Sequence, residues 1–265
     1  MKNRLLDISR VVLSLVFVLC AMVTILIFTN RSQSRKAVEP VRAQVLFTGP
    51  TSVMLMRETV ASAQRGYISA YGKRAWMVDV GAASQLPSQV VFDAVNFSRD
   101  TLKLRIDEVD RMRDRKVPLV SANVFTASGA PAGDPWVYDD LSRVFITGLV
   151  DDAHEQFGGD WRITPPIDAL LEVLAQMSKP IDVLVVLGDL SDEQVADLCK
   201  RVPRVHLLLL RDDRGIWPSP KLVNRTIIAG HPRGSPWVGN VTVVKDDKQM
   251  PPRVDDSVGQ RTSGK

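Results

Sequence analysis

The stretch FDAVNFSRDTLKLRIDEVDRMRDRKVPLVSANVF, residues 92–125, decides the class of fold. It begins inside an apolar run, residues 90–97, that reads as a β-strand. A charged, periodic stretch follows over residues 101–116. Leu102, Ile106, Val109, Met112 and Arg113 fall on one side of it, and Arg, Asp and Glu fill the rest, as on an amphipathic helix. Pro118 stops that helix, and LVSANVF (119–125) reads as the next strand. Strand, helix and strand in succession predict a βαβ unit, and so a sheet covered by helices on its faces.

The same alternation extends outward in both directions. Upstream, AQVLFTG (43–49) and AWMVDVG (75–81) read as strands, with a helix over 54–64 between them. Downstream, RVFITGLV (143–150) is a strand, and Pro165 and Pro166 open a helix that runs to about Met177. IDVLVVLGD (181–189) and VHLLLL (205–210) are continuous apolar runs of the kind buried in parallel sheets, with a short helix over 192–201 between them. LVNRTIIAG (222–230) and WVGNVTVV (237–244) close the pattern with period-two strands.

The two ends read differently. An uncharged apolar segment, VVLSLVFVLCAMVTILIF, opens at Val11 and closes at Phe28. As a helix its roughly 18 residues span about 27 Å, close to a bilayer's hydrocarbon core. The rival reading is a cleaved signal peptide, but the run is long for one, and TNRSQSRK follows in place of an Ala-x-Ala site. The expected organisation is a tail (1–10), a transmembrane helix in membrane lipid (11–28), a linker (29–42), an α/β domain (43–245) and a polar, disordered tail (246–265). Basic residues flank the apolar segment on both sides, so charge counting leaves its orientation open. The short N-terminal tail favours a cytoplasmic N-terminus and a periplasmic or equivalent domain.

Composition removes other classes. The chain has 265 residues, of which 45% are hydrophobic and 24% charged, which suffices for a sizeable core. A net charge of +4, with acids and bases interspersed, does not point to nucleic acid. The two cysteines, Cys20 and Cys199, are not expected to pair, because Cys20 lies inside the apolar segment.

The order of the segments resembles the metallophosphoesterase domain of the 5′-nucleotidase type, the calcineurin-like phosphoesterases. FDAVNFSRD followed by a helix and VPLVSANVF is similar to that family's turn into GNHE, its helix and its next strand. RVFITGLV, then PIDALLEVLAQMSKPIDVLVVLGDLSDE, then RTIIAGHPRGSPWVGNVTVV follow in the family's order. The resemblance implies an αββα sandwich with two metal ions at the strand tips, held by Asp, His and Asn.

This sequence departs from the family at each ligand position the resemblance assigns. Pro50 and Ser52 stand for the first Asp-x-His, and Ala82 for the bridging Asp. Arg99 stands for the Asn of GNHE and Asp100 for its His. Asp189 stands for the next His, and Asp212 and Arg214 for the last two. Proline and alanine offer no ligand, and arginines repel divalent cations. Asp100, Asp189 and Asp212 are natural partners for those arginines, so salt bridges are expected where metals would sit. The segment 81–89 is also too short for the family's helix after the second strand, and no room is expected in these 265 residues for the nucleotide-gripping second domain.

The resulting expectation is a non-catalytic domain without metal or cofactor, held at a membrane as a scaffold or accessory subunit of a larger assembly. Its partners would be protein subunits of a membrane complex. Trp136, Trp161, Trp217 and Trp237 lie in loop-like, Pro-rich contexts and are the interface candidates, with local packing as the alternative. The competing expectation is an active phosphoesterase with an Asp-rich site built from Asp100, Asp189 and Asp212. Three other features carry plainer readings. Asp151, Asp152, His154 and Glu155 form an acidic loop, His231 a turn, and Cys199 a buried packing residue.

Overall fold

The computed structural model describes residues 41–49, 75–81, 91–153, 159–212, 219–232, 238–245 and 253–254. The expected transmembrane segment and the helix over 54–64 lie outside them. Among the described residues no helix is long and apolar enough to cross a membrane.

Two six-stranded sheets carry the fold. The first joins β14 (Arg253–Val254), β13 (Gly239–Lys245), β1 (Val41–Thr48), β2 (Trp76–Asp79), β3 (Ala94–Asn96) and β4 (Leu119–Val120) in that order. The second joins β11 (Lys221–Val223), β12 (Thr226–Pro232), β10 (Leu207–Asp212), β9 (Val183–Asp189), β7 (Val144–Val150) and β6 (Val137–Asp139). A two-stranded ribbon pairs β5 (Val124–Thr126) with β8 (Trp161–Ile163). The centre of each sheet is parallel, β1 to β4 in one and β12, β10, β9 and β7 in the other, with antiparallel strands outside.

Strand alternation explains the layers. Val183, Val185 and Leu187 of β9, with Leu207 and Leu209 of β10, face Val45 and Phe47 of β1 and Val78 of β2 in an inter-sheet core. The intervening Leu184, Val186, Leu208 and Leu210 face outward under α2 (Pro166–Gln176) and α3 (Asp192–Arg201). Leu46 and Met77 on the far face of the first sheet lie with Val109 and Met112 of α1 (Ile106–Asp114). The order is therefore helix, sheet, sheet, helix.

Several readings of the sequence are corrected. The helix expected over 101–116 is broken. A 3-10 turn, Thr101–Lys103, precedes extended Leu104 and Arg105, and the α-helix begins at Ile106. Trp161 Nε1 donates to Leu104 O (3.0 Å) and Arg105 N donates to Glu108 Oε2 (2.9 Å), which satisfies the backbone at the break. The strand expected over 119–125 divides into β4 and β5. Asn123 holds the bend, donating through Nδ2 to Val150 O (2.7 Å) and Thr164 O (2.9 Å) and accepting from Val150 N (3.0 Å). The last-but-one strand is a hairpin, turned at Asn224 in the left-handed region (φ 54). β6, β8 and β14 have no counterpart in the sequence reading, and β14 lies within the stretch read as a disordered tail.

Candidate functional site

Parallel strands of both sheets end together, and the residues just past their apolar stretches are charged. Alternation continues the inter-sheet face of β9 to Asp189, of β10 to Arg211 and of β12 to His231. Arg211 and His231 are register partners. Asp189 and Arg211 follow directly on the partners Gly188 and Leu210. All three side chains are buried.

The opposing sheet meets this row with small residues and two charges. A Cβ at Gly49 would lie 2.5 Å from His231 Nδ1, so only glycine lets β1 end against that ring. Gly81 has φ 154, and a Cβ there would lie 2.8 Å from Ser98 Cβ and 3.6 Å from Arg211 Cδ. Ser98 Oγ donates to Gly81 O at 3.0 Å. After β3 the chain presents Arg99 and Asp100. Arg99 donates through its backbone N (2.8 Å) to Asp189 Oδ2 and through Nε to both carboxylate oxygens (2.8 and 3.0 Å). Its Nη2 also reaches Asp189 Oδ1. Arg211 Nη1 donates to Asp100 Oδ2 at 2.7 Å, and Lys103 Nζ donates to Asp100 Oδ1 at 2.9 Å. Burial acts to raise the Asp100 carboxyl. The hydrogen bonds and charges of Lys103 and Arg211 outweigh that and hold it below its ordinary value.

The sequence candidates separate as follows. Arg99, Asp100 and Asp189 come together. Asp212 is buried at the end of β10, on the face opposite Arg211 by alternation. Pro50, Ser52, Ala82 and Arg214 lie outside the described residues, as do Trp217 and Trp237. Trp161 is corrected as an interface candidate. It is 5% exposed in β8, with its ring edge-on to Phe97 at 5.0 Å. Trp136 is half-buried and stacks on Phe145 at 5.9 Å. His231 is corrected from turn to strand.

In the acidic loop, Asp151 and Asp152 accept from Gln194 Nε2 (3.1 and 2.9 Å), which anchors the first turn of α3; His154 and Glu155 are outside the described residues. Cys199 is buried, and that burial pushes its thiol upward against a hydrogen bond from Thr226.

Arg211 escaped the sequence reading and His231 was read as a turn, although the alternation of LLLLRD and TIIAGHP already places both on the core face. Asp79 escaped as well. It is fully buried at the end of β2 and accepts from Thr48 Oγ1 (2.6 Å) and Gly81 N (2.8 Å).

Asp100 and Asp189, two of the positions where the resemblance implies metal ligands, are engaged in ion pairs. Both oxygens of Asp189 and of Asp100 are held by cationic side chains. Among the described residues, no three His, Cys, Asp or Glu side chains converge as a metal site.

No family model matches the sequence, and no curated protein matches it. Solved structures do. A calcineurin-like phosphoesterase from Bacillus subtilis superposes with TM-score 0.61 at 14% identity, over 82% of this chain and 89% of that one. A 5′-nucleotidase precursor from Thermus thermophilus gives 0.63 at 17% identity, over 76% of this chain and 51% of that one. The NAD nucleotidase of Haemophilus influenzae gives 0.59 at 11% identity, over 82% and 49%. The chain thus spans about half the length of the two nucleotidases. Its described domain has the metallophosphoesterase fold of the 5′-nucleotidase type.

Proposed function

We propose that the chain is a membrane-anchored, non-catalytic domain of this fold that serves as a scaffold or accessory subunit of a membrane-associated assembly. The observation that carries this reading is the pairing of Arg99 with Asp189 and of Arg211 with Asp100 across the strand ends. A guanidinium fork on a carboxylate uses the lone pairs that a divalent ion would need. A cation beside it also raises the cost of bringing in a second positive charge. The apolar segment closing at Phe28 supports the anchor, with the domain on the periplasmic or equivalent side. Trp136, half-buried and stacked on Phe145, is the described interface candidate that keeps exposed surface.

The test uses the full chain purified in detergent and supplied with manganese. Hydrolysis of p-nitrophenyl phosphate and of a 5′-nucleotide is expected to stay at the level of the Asp189→Ala variant. Turnover that disappears in that variant would establish the competing Asp-rich phosphoesterase. The scaffold role is tested by size-exclusion of gently solubilised native membranes. The chain is expected at a mass well above its own with partners in fixed ratio, and migration alone would overturn that role.

A further inference from the structure

Arg99 and Asp100 are consecutive residues after β3, and their partners Asp189 and Arg211 are lateral neighbours on β9 and β10. The four charges therefore alternate around a closed circuit, from Arg99 to Asp189, Arg211, Asp100 and back to Arg99. Each step joins opposite signs. Two steps are ion pairs that cross between the sheets, one is lateral within a sheet, and one runs along the chain. The side chains of Asp189 and Arg211 are 0% and 2% exposed, and those of Arg99 and Asp100 are 29% and 26% exposed. Water screens the inner pair least, so a charge there feels its lateral neighbour as well as its direct partner.

We propose that this circuit acts as one cooperative tie between the two sheets, with two guanidinium groups supplying the positive charge that the fold's relatives would draw from metal ions. The inference rests on reading the site as one not built for metal. Two independent bridges would stabilise the sheets separately. A circuit makes the loss of one bridge change the value of the other.

Thermal unfolding of the full chain in detergent tests it through Asp189→Asn, Arg211→Met and their combination. These substitutions fall in different bridges. Asp189→Asn keeps the side chain's shape and hydrogen-bonding oxygen, so the variant isolates charge and is expected to fold. Each single variant is expected to lower Tm by several degrees. The combination is expected to lower it by at least about 3 °C less than the sum, because its two residues attract each other in the native protein. Additive shifts would overturn the circuit and leave two separate bridges. Chelator and added manganese are expected to leave the Tm of the native chain unchanged. A Tm that rises with manganese alone would overturn the metal-independent tie, and manganese-dependent hydrolysis would overturn the proposed function as well, so the two failures are told apart.

Discussion

Midway along β9 and β10 the sheets meet through Val185, Leu187, Leu207 and Leu209; further along the same faces they meet through Asp189 and Arg211. Both regions are buried and both join the same two sheets, yet they hold them by opposite means. The apolar region gains from each methylene removed from water and tolerates a neighbour of similar volume. The charged region gains little net energy from burial, since desolvation offsets attraction, but loses heavily when one partner is removed. The first region stabilises the sandwich, and the second fixes how the strand ends face each other.

Breaking each region in turn sharpens the contrast. Leu187→Ala in the apolar region is expected to cost about 3 kcal/mol in denaturant unfolding, by creating a cavity at a fully buried site. Asp189→Ala is expected to cost about 2 kcal/mol, because Arg99 loses the carboxylate that holds it while keeping some contact with water. Adding Arg99→Met to it is expected to restore part of that loss, whereas no second deletion restores Leu187→Ala. Gly49→Ala is expected to cost between roughly 1 and 2 kcal/mol, since its methyl would meet the His231 ring at the boundary of the two regions.

The smallest effect is with pH. Asp100 titrates below its ordinary 3.8 in the folded chain. Its stabilisation is therefore complete above that value and is lost as pH falls through the lowered one. Arg211→Met is expected to bring the Asp100 pKa back up toward that ordinary value, so the variant's stability falls less steeply than the native chain's as pH drops through the acid range. An unchanged acid limb would mean that Arg211 does not act on that carboxylate.

The apolar region was legible in the sequence. Uninterrupted runs such as VLVVL and LLLL declare strands buried on both faces, and the order of segments pointed to the fold. The pairing of Asp189 with Arg99 was also foreseeable, because both stand where one resemblance places neighbouring groups. Arg211 was missed because a charge ending an apolar run reads as the start of a loop, whereas here the strand continues through Asp212. His231 was named but placed in a turn, because the Pro-Arg-Gly that follows it suggests one. The break before α1 depends on Trp161, 57 residues away in the chain, and no local pattern encodes such a contact.

Metal content of the full chain tests the central claim most directly. After purification with manganese and zinc present, followed by desalting, elemental analysis is expected to find well under one transition-metal ion per chain, with none gained on further addition. Two ions per chain, lost when Asp189 is replaced by alanine, would show that the strand ends hold metal and would contradict this account.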